Sequence, residues 1–174
     1  MTRFAAAFLE GHPLMHTIRE AETATDIAQV RELFLEYQST LGVDLCFQGF
    51  AEELASLPGK YARPAGRLLL ACNGPAVLGV VALRPILRTD CEMKRLYVRS
   101  SGRGAGLGRL LTHAVIKEAR LAGYGRVLLD TLPTMAEAQA LYRTIGFVEI
   151  AAYCHNPVAG TRYMALDLRD DERA

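Results

Sequence analysis

Apolar positions recur along this chain in two periods, one typical of strands and one typical of helices, and they divide the sequence into short elements. Residues 16–22 predict a first strand. An amphipathic helix is predicted after it, because apolar residues recur there at helical spacing, at Ile27, Val30, Leu33, Phe34 and Tyr37. Asp26, with Gln29 three residues later, has the pattern of a helix N-cap with a capping box. A second, shorter helix is predicted over residues 50–57.

The middle of the chain has the pattern of consecutive strands. Residues 67–72 and 77–83 are apolar runs, and the turn signal Asn73-Gly74-Pro75 between them predicts a hairpin. A further strand is predicted over residues 91–99. Its side chains are expected to alternate regularly between the two faces of a sheet, with Met93, Arg95, Tyr97 and Arg99 on one face and Lys94, Leu96 and Val98 on the other.

The second half of the chain alternates between helices and strands. A glycine-rich loop leads into a helix that ends at Gly123. The apolar stripe of this helix consists of Leu107, Leu110, Leu111, Ala114, Val115 and Ala119. Residues 127–129 then predict a buried strand. The last elements are a short helix and two strands, at residues 135–144, 147–153 and 162–168.

The resulting order is β-α-α-β-β-β-α-β-α-β-β, which belongs to the α/β class and contains neither an internal repeat nor a linker. We therefore expect a loosely ordered extension over residues 1–15 and a single domain over residues 16–170. The first nine residues have a basic and an apolar part, as a weak signal peptide would. The apolar part is short, however, and no cleavage site follows, which favours an extension of the domain.

Composition and charge narrow the function classes. The chain has 174 residues, of which 51% are hydrophobic and 22% charged, as in ordinary globular proteins. Its formal net charge is +1, so no field of the whole molecule draws it to nucleic acid or to an anionic membrane. A bound anion would therefore have to be held by a local site.

The cysteines point to a reducing compartment. They are scattered, without a C-x-x-C motif or a histidine pair nearby, at Cys46, Cys72, Cys91 and Cys154. This spacing supports neither a zinc site nor a disulfide framework. Reduced thiols in the cytoplasm are the simplest interpretation, and no apolar run reaches the length of a membrane span.

The stretch that carries chemistry is residues 103–109, Arg-Gly-Ala-Gly-Leu-Gly-Arg, between a predicted strand and a predicted helix. Glycines let the backbone approach a ligand closely, and the N–H groups at a helix start suit a phosphate or pyrophosphate. The spacing is not that of a Rossmann fingerprint, because Arg109 or Leu107 stands where the third glycine should be, and no Gly-Lys-Ser/Thr triplet completes a Walker A loop. The alternative is a glycine-rich turn without a ligand.

Two motifs together resemble a known family. Arg103-x-x-Gly106-x-Gly108, after the strand segment Leu96-Tyr97-Val98, is similar to the pyrophosphate-binding motif of the GNAT superfamily of acyl-coenzyme A N-acyltransferases. Downstream, Ala138-x-x-Leu141-Tyr142-Arg143-x-x-Gly146-Phe147 is similar to that superfamily's last helix and the start of the strand after it. The order of the elements agrees from about residue 18 to residue 168.

The resemblance implies a fold and a coenzyme. The fold would be a mixed, mostly antiparallel sheet of about seven strands flanked by about four helices, of the α/β (α+β) class. Acetyl-CoA would be the acyl-donor co-substrate, with no metal. The coenzyme-binding positions correspond here to Leu96, Tyr97, Val98, Arg103, Gly104, Ala105, Gly106, Leu107, Gly108 and Arg109. In many members an asparagine that contacts the pantetheine arm stands seven residues before the tyrosine, and here that position is Met135.

Acetyl transfer to an amine needs a proton acceptor, an oxyanion site and a proton donor for the thiolate. By the resemblance, Tyr142 would lie near the sulfur as the general acid, and Glu92, eleven residues before Arg103, would be the base. Among apolar strand residues the Glu92 carboxyl would be desolvated, which would raise its basicity; a solvated acid at a strand end is the alternative. The backbone N–H of Leu96 or Val98 would stabilise the oxyanion.

Acceptor recognition has weaker signals. By the resemblance, the acceptor would lie between the first two helices and the late strands, where the chain offers Asp44, Phe47 and Gln48, and on the other side His155 and Asn156. Asp44 is also a common turn residue, and His155 is equally a surface loop residue.

The leading hypothesis is N-acetylation of a small-molecule amine such as an amino acid, polyamine or amino sugar, by direct attack in a ternary complex. A protein or peptide amine and a non-catalytic acyl-CoA sensor are the alternatives. Acetylation of charged tRNA is disfavoured by the near-neutral charge. No nucleic acid or membrane is expected as a partner, and a homodimer is left open.

Overall fold

A computed structural model describes residues 16–87 and 89–169, with every side chain in these ranges except that of Phe47. The expected extension over residues 1–15 lies outside the described part. The strands are β1 (His16–Glu20), β2 (Arg67–Asn73), β3 (Ala76–Pro85), β4 (Asp90–Val98), β5 (Arg126–Thr131), β6 (Val148–Ile150) and β7 (Arg162–Asp167). The helices are α1 (Ala24–Leu41), α2 (Phe50–Ser56), α3 (Leu107–Leu121) and α4 (Ala136–Ile145).

Within the described ranges, the seven strands form one sheet in the order β1-β2-β3-β4-β5-β7-β6. Every neighbouring pair is antiparallel except β4 and β5, which run parallel. The predicted α/β class, the order of the elements and the mostly antiparallel sheet are confirmed. None of the helices described has the length and apolar character needed to cross a bilayer.

The sheet is covered on both faces, so β2 and β3 are apolar almost without interruption. Successive strand residues point to opposite faces. Leu68 and Leu70 therefore pack with the α1 residues Val30, Leu33 and Phe34, whereas Leu69 and Ala71 pack with α3. Burial on both faces explains why these strands have continuous rather than alternating hydrophobic patterns.

Helix α1 begins earlier than the sequence pattern predicts. Its N-cap is Thr23, whose hydroxyl accepts a hydrogen bond from the Asp26 N–H at 3.1 Å. The Asp26 carboxylate in turn accepts from the Thr23 N–H at 3.0 Å. The assignment of Asp26 as N-cap with Gln29 was therefore wrong, because Asp26 fills the third helical position of a box that starts at Thr23. Arg19 holds the same carboxylate at 2.6 Å.

Strand β4 contains a β-bulge, which corrects its predicted regular alternation. Val80 pairs with Tyr97 and Ala82 with Lys94, so β4 has one residue more than β3 between these pairs. Arg95 lies in this bulge with a φ of 58°, a left-handed conformation that non-glycine residues rarely adopt. The bulge ends the alternation of side chains and turns the last part of β4.

The parallel strands separate beyond the start of β4. Pairing of β4 with β5 covers Asp90–Glu92 of β4 and stops at Leu128 of β5. The following residues of β5 continue to pair with β7 on the other side. A gap therefore opens in the sheet next to the bulge, and it leads to the cavity described below.

Candidate active site

A cavity fills the gap between the separating strands. Its strand walls are Met93–Leu96 of β4 and Leu129–Thr131 of β5 with the next residue, Leu132. The other walls come from separate segments and comprise Tyr37, Leu41, Leu45, Gln48, Met135, Tyr142 and Asn156. A second cleft adjoins it and runs between the end of β4 and the start of α4. The two spaces share Tyr37, Leu41, Leu96 and Met135, so they form one continuous site.

The glycine-rich loop stands at the far end of this cleft. Gly104 and Gly106 have φ values of 78° and 75°, and a Cβ at either position would meet no atom within 4 Å. Glycine is therefore required there by backbone conformation. Gly106 is the N-cap of α3 and supplies no side-chain cap for the first N–H groups of that helix. These groups and the helix dipole suit an anion.

The predicted coenzyme-binding residues divide into three groups. Leu96, Tyr97, Val98, Arg103 and Gly108 line the cleft. Gly104, Ala105, Gly106 and Arg109 are exposed in and beside the loop. The side chain of Leu107 is buried in the core, so this residue offers a ligand its backbone alone.

The two arginines of the motif are accessible. The exposed Arg103 donates to the carbonyl of Val98 at 3.3 Å, and the exposed Arg109 donates to the Thr144 hydroxyl at 3.0 Å. Neither contact is an ion pair. Both guanidinium groups can therefore turn toward a phosphate at the loop without breaking a salt bridge.

Tyr142 lies where the cavity meets helix α4. It is 5% exposed and packs against Phe147 with ring centroids 5.7 Å apart. Among the described residues its hydroxyl has no hydrogen-bond partner. Burial raises the pKa of Tyr142 far above its ordinary value, and the neighbouring Tyr37 and Asp130 raise it further. The phenol therefore keeps its proton at neutral pH and can donate it inside the cavity.

Glu92 lies behind the cavity wall, in surroundings that differ from the apolar ones expected. Its side chain is fully buried, but three polar groups hold its carboxylate. Arg84 donates to Oε2 at 2.6 Å, Tyr153 donates to Oε1 at 2.7 Å, and the Lys94 ammonium lies 3.7 Å from Oε1. Glu92 is not part of the wall that Tyr142 lines. Lys94, whose ammonium lies 3.7 Å from Glu92, lines the same cavity as Tyr142, whereas Glu92 does not.

The carboxylate that does line the cavity is Asp130, at the end of β5. Lys94 donates to its Oδ1 at 2.9 Å, and Asn156 donates to its Oδ2 at 2.9 Å. Burial tends to raise the pKa of Asp130, but the Lys94 charge and these hydrogen bonds outweigh burial and lower it. Asp130 is not among the site residues predicted from the sequence. A charged residue at the end of an apolar strand is the pattern by which it could have been found.

Arg95 connects the bulge of β4 with Gln48 on the cavity wall and with helix α2. Its guanidinium donates twice to the Glu53 carboxylate of α2, at 2.9 Å each, and once to the Gln48 side-chain oxygen at 2.9 Å. It also lies over the ring of Phe50, 5.1 Å from the centroid. Arg95 and Glu53 are almost completely buried, so this pair fixes α2 and the turn before it against β4.

The predicted acceptor residues have different positions. Gln48 lines the cavity, as Asn156 does. Asp44 is exposed and accepts a hydrogen bond from the Cys46 N–H at 2.9 Å, the pattern of a turn-forming aspartate. The side chain of Phe47 lies outside the described part, and His155 is exposed on a loop. Across the described ranges, no group of three or more histidine, cysteine or acidic residues could hold a metal ion.

Comparisons with known proteins point to one protein family. The model of the acetyltransferase (GNAT) family matches residues 27–147. A relative in Schizosaccharomyces pombe, named as an uncharacterised N-acetyltransferase, is 39% identical over 155 residues, which cover 87% of this chain and 94% of the relative.

Solved structures share the fold. An acetyltransferase of Streptococcus agalactiae superposes with a TM-score of 0.73 at 22% identity, over 88% of this chain and 98% of its own. A Salmonella typhimurium protein, solved with its cofactor acetyl-CoA, gives a TM-score of 0.65 at 23% identity, over 88% of this chain and 94% of its own.

Proposed function

The chain belongs to the acetyltransferase (GNAT) family, and from this premise we propose that it transfers an acetyl group from acetyl-CoA to a primary amine of a small molecule. The observation that carries the proposal is the continuity of the site. A cleft from the glycine-rich start of α3 opens into a cavity lined by a protonated tyrosine and a carboxylate, Tyr142 and Asp130.

Acetyl-CoA would occupy the cleft with its pyrophosphate at the start of α3, near Arg103 and Arg109. Its acyl end would reach the gap between β4 and β5. The Salmonella neighbour with acetyl-CoA supports this choice of donor. The backbone N–H of Leu96, at the β4 bulge and beyond the end of the β4–β5 pairing, would stabilise the oxyanion.

Thr131 is a further candidate contact for the coenzyme. It lines the cavity, is 3% exposed, and its hydroxyl has no hydrogen-bond partner in the part of the chain that the structure describes. A buried polar group without a partner is unfavourable until a ligand satisfies it. We assign this hydroxyl to an amide of the pantetheine arm, whose usual asparagine contact is absent because Met135 stands at that position.

The reaction needs no covalent enzyme intermediate. The amine nitrogen attacks the thioester carbonyl carbon, the new C–N bond forms, and the C–S bond breaks. Tyr142 gives its proton to the departing thiolate, and the proton lost by the amine goes to a base. Because the Glu92 carboxylate is not on the cavity wall, Glu92 would act as that base through a water or through the Lys94–Asp130 pair.

Several features favour a small acceptor in the cytoplasm. The walls of the cavity come from α1, α4, both separating strands and three loops, and such enclosure favours a small acceptor over a polypeptide. Cys46 and Cys154 are exposed free thiols, as expected for a reducing compartment. A homodimer stays a prediction, which light scattering would test.

The deciding experiment measures thiol release from acetyl-CoA across a panel of amines, with mass spectrometry of the acetylated product. Thiol release that depends on both the protein and an amine supports the enzyme. Acetyl-CoA binding, seen as a raised melting temperature, would instead support the sensor if no small amine or peptide causes thiol release from acetyl-CoA. Transfer to peptides alone would support the polypeptide acceptor.

A further inference from the structure

We propose that the acceptor is a zwitterion, an amine with a carboxylate within a few bonds of it, and that Asp130 and Lys94 recognise these two groups. This inference rests on the proposed acetyl transfer and adds the chemical class of the acceptor. Asp130 would accept a hydrogen bond from the ammonium, and Lys94 would donate one to the carboxylate. Both residues line the cavity.

The charges around the cavity balance. Six charged side chains are joined by ion pairs, namely Arg84, Lys94, Arg95, Glu53, Glu92 and Asp130. Three carry a positive charge and three a negative charge. A ligand with a net charge would therefore add an uncompensated charge to a partly buried site, which is unfavourable. A polyamine fits this balance poorly, whereas a zwitterion brings no net charge.

Of these six residues, three line the cavity: Lys94, Arg95 and Asp130. The Arg95 guanidinium is occupied by Glu53 and Gln48. The accessible charges are therefore one ammonium and one carboxylate, whose atoms are 2.9 Å apart. Opposite charges this close match a ligand whose own opposite charges are also close, as in an α-amino acid.

Both groups can accept another partner. A lysine ammonium has three N–H donors. The Lys94 ammonium contacts Asp130 at 2.9 Å, and Glu92 lies at the longer distance of 3.7 Å. A carboxylate can accept about four hydrogen bonds. Asp130 accepts short ones from Lys94 and Asn156 and a long one from Gln48 at 3.5 Å. One ligand carboxylate and one ligand ammonium can be added.

This arrangement would also orient the acceptor. Asp130 lies on the same cavity as Tyr142, whose proton is needed at the thiolate. An ammonium at Asp130 would thus be held near the acyl end of the coenzyme, with its carboxylate on the Lys94 side. An acceptor without the carboxylate would leave one N–H donor of the nearly buried Lys94 without a ligand partner, while another donor stays paired with Asp130, and such a loss reduces kcat/KM.

The first test compares matched acceptors with the wild-type protein at saturating acetyl-CoA. Amino acids with several side chains are compared with their carboxamides, which replace the carboxylate by a neutral group of similar shape. Amide derivatives have more free amine at neutral pH, so reactivity alone favours them. We expect the amino acids to have the higher kcat/KM by roughly tenfold or more.

The second test uses Lys94→Met, with Lys117→Met on the exposed face of α3 as the matched control. Lys94→Met should remove the advantage of the amino acids, and Lys117→Met should keep it. Melting curves with acetyl-CoA verify that each variant folds and binds the coenzyme.

The outcomes separate this inference from the proposed function. Equal or better turnover of the carboxamides by the wild type overturns the inference and leaves acetyl transfer intact. An unchanged preference in folded Lys94→Met overturns the role of Lys94. No thiol release with any acceptor overturns both proposals.

Discussion

Replacing Glu92 by glutamine tests a carboxylate that has two proposed tasks, as a base and as a counter-ion. The substitution keeps the shape of the side chain and removes its charge. Glu92 is fully buried, and its partners Arg84 and Lys94 are 24% and 6% exposed. Loss of one partner of a buried ion pair costs about 3–5 kcal/mol. Because water can partly solvate Arg84, we expect the lower end, about 3 kcal/mol.

The expected loss is measurable by unfolding in urea, with the slope of the transition checked for two-state behaviour. For a chain of this size, a loss of 3 kcal/mol lowers the melting temperature by about 6–12 °C. Glu149→Gln is a matched control, because that carboxylate also pairs with two arginines, Arg143 and Arg162, but is exposed. It should leave the transition almost unchanged.

The activity of Glu92→Gln must be measured well below its melting temperature. If Glu92 is the base, the acidic limb of the kcat/KM profile disappears and the residual rate rises with pH as free amine becomes available. A stability loss below about 1 kcal/mol would contradict the counter-ion argument. A pH–rate profile like that of the wild type would show that Glu92 is not the base, even if stability falls as expected.

Four other substitutions test the remaining parts of the site and fold. Gly106→Asp should abolish the melting shift caused by acetyl-CoA, because it puts a negative charge beside the pyrophosphate; a full shift in the folded variant contradicts the loop assignment. Tyr142→Phe should keep that shift and lower kcat by roughly a hundredfold or more, and unchanged turnover leaves the tyrosine as packing. Thr131→Val should weaken acetyl-CoA binding, measured by calorimetry, without lowering stability. An affinity equal to that of the wild type would contradict the pantetheine contact. Asp26→Asn should lower stability at neutral pH by about 1–2 kcal/mol, because it weakens the charge-assisted hydrogen bonds from Arg19 and the Thr23 N–H. Because the hydrogen bond from Arg19 depresses the folded-state pKa of Asp26, this difference should shrink as urea titrations move below pH ~4.

Local patterns were sufficient for the order of the elements. The spacing of apolar residues in α1 and α3 reflects burial of one face of each helix, and the continuous apolar runs of β2 and β3 reflect burial of both faces of the sheet. The boundaries of the elements depend on more than these patterns. The N-cap of α1 is Thr23, whereas the sequence pattern predicted Asp26. An aspartate can be either the N-cap or the third residue of a capping box, and the backbone angles decide between the two.

The sequence by itself was enough to predict the coenzyme side of the proposed site. Glycines at positions of positive φ and the arginines beside them occur within one loop, so their role can be inferred without distant contacts. Tyr142 likewise follows from a local helix motif. These inferences needed neither strand register nor long-range pairing.

The residues on the proposed acceptor side could be found only from the tertiary structure. The Arg95 bulge and the end of the β4–β5 pairing open the cavity, and both depend on register between strands. Lys94 meets Asp130 across 36 positions, and Arg95 meets Glu53 across 42. The sequence alone does not show which cation a carboxylate will pair with. The electrostatic role of Asp130 and the buried position of Glu92 therefore exist only after the sheet has brought distant cations beside them.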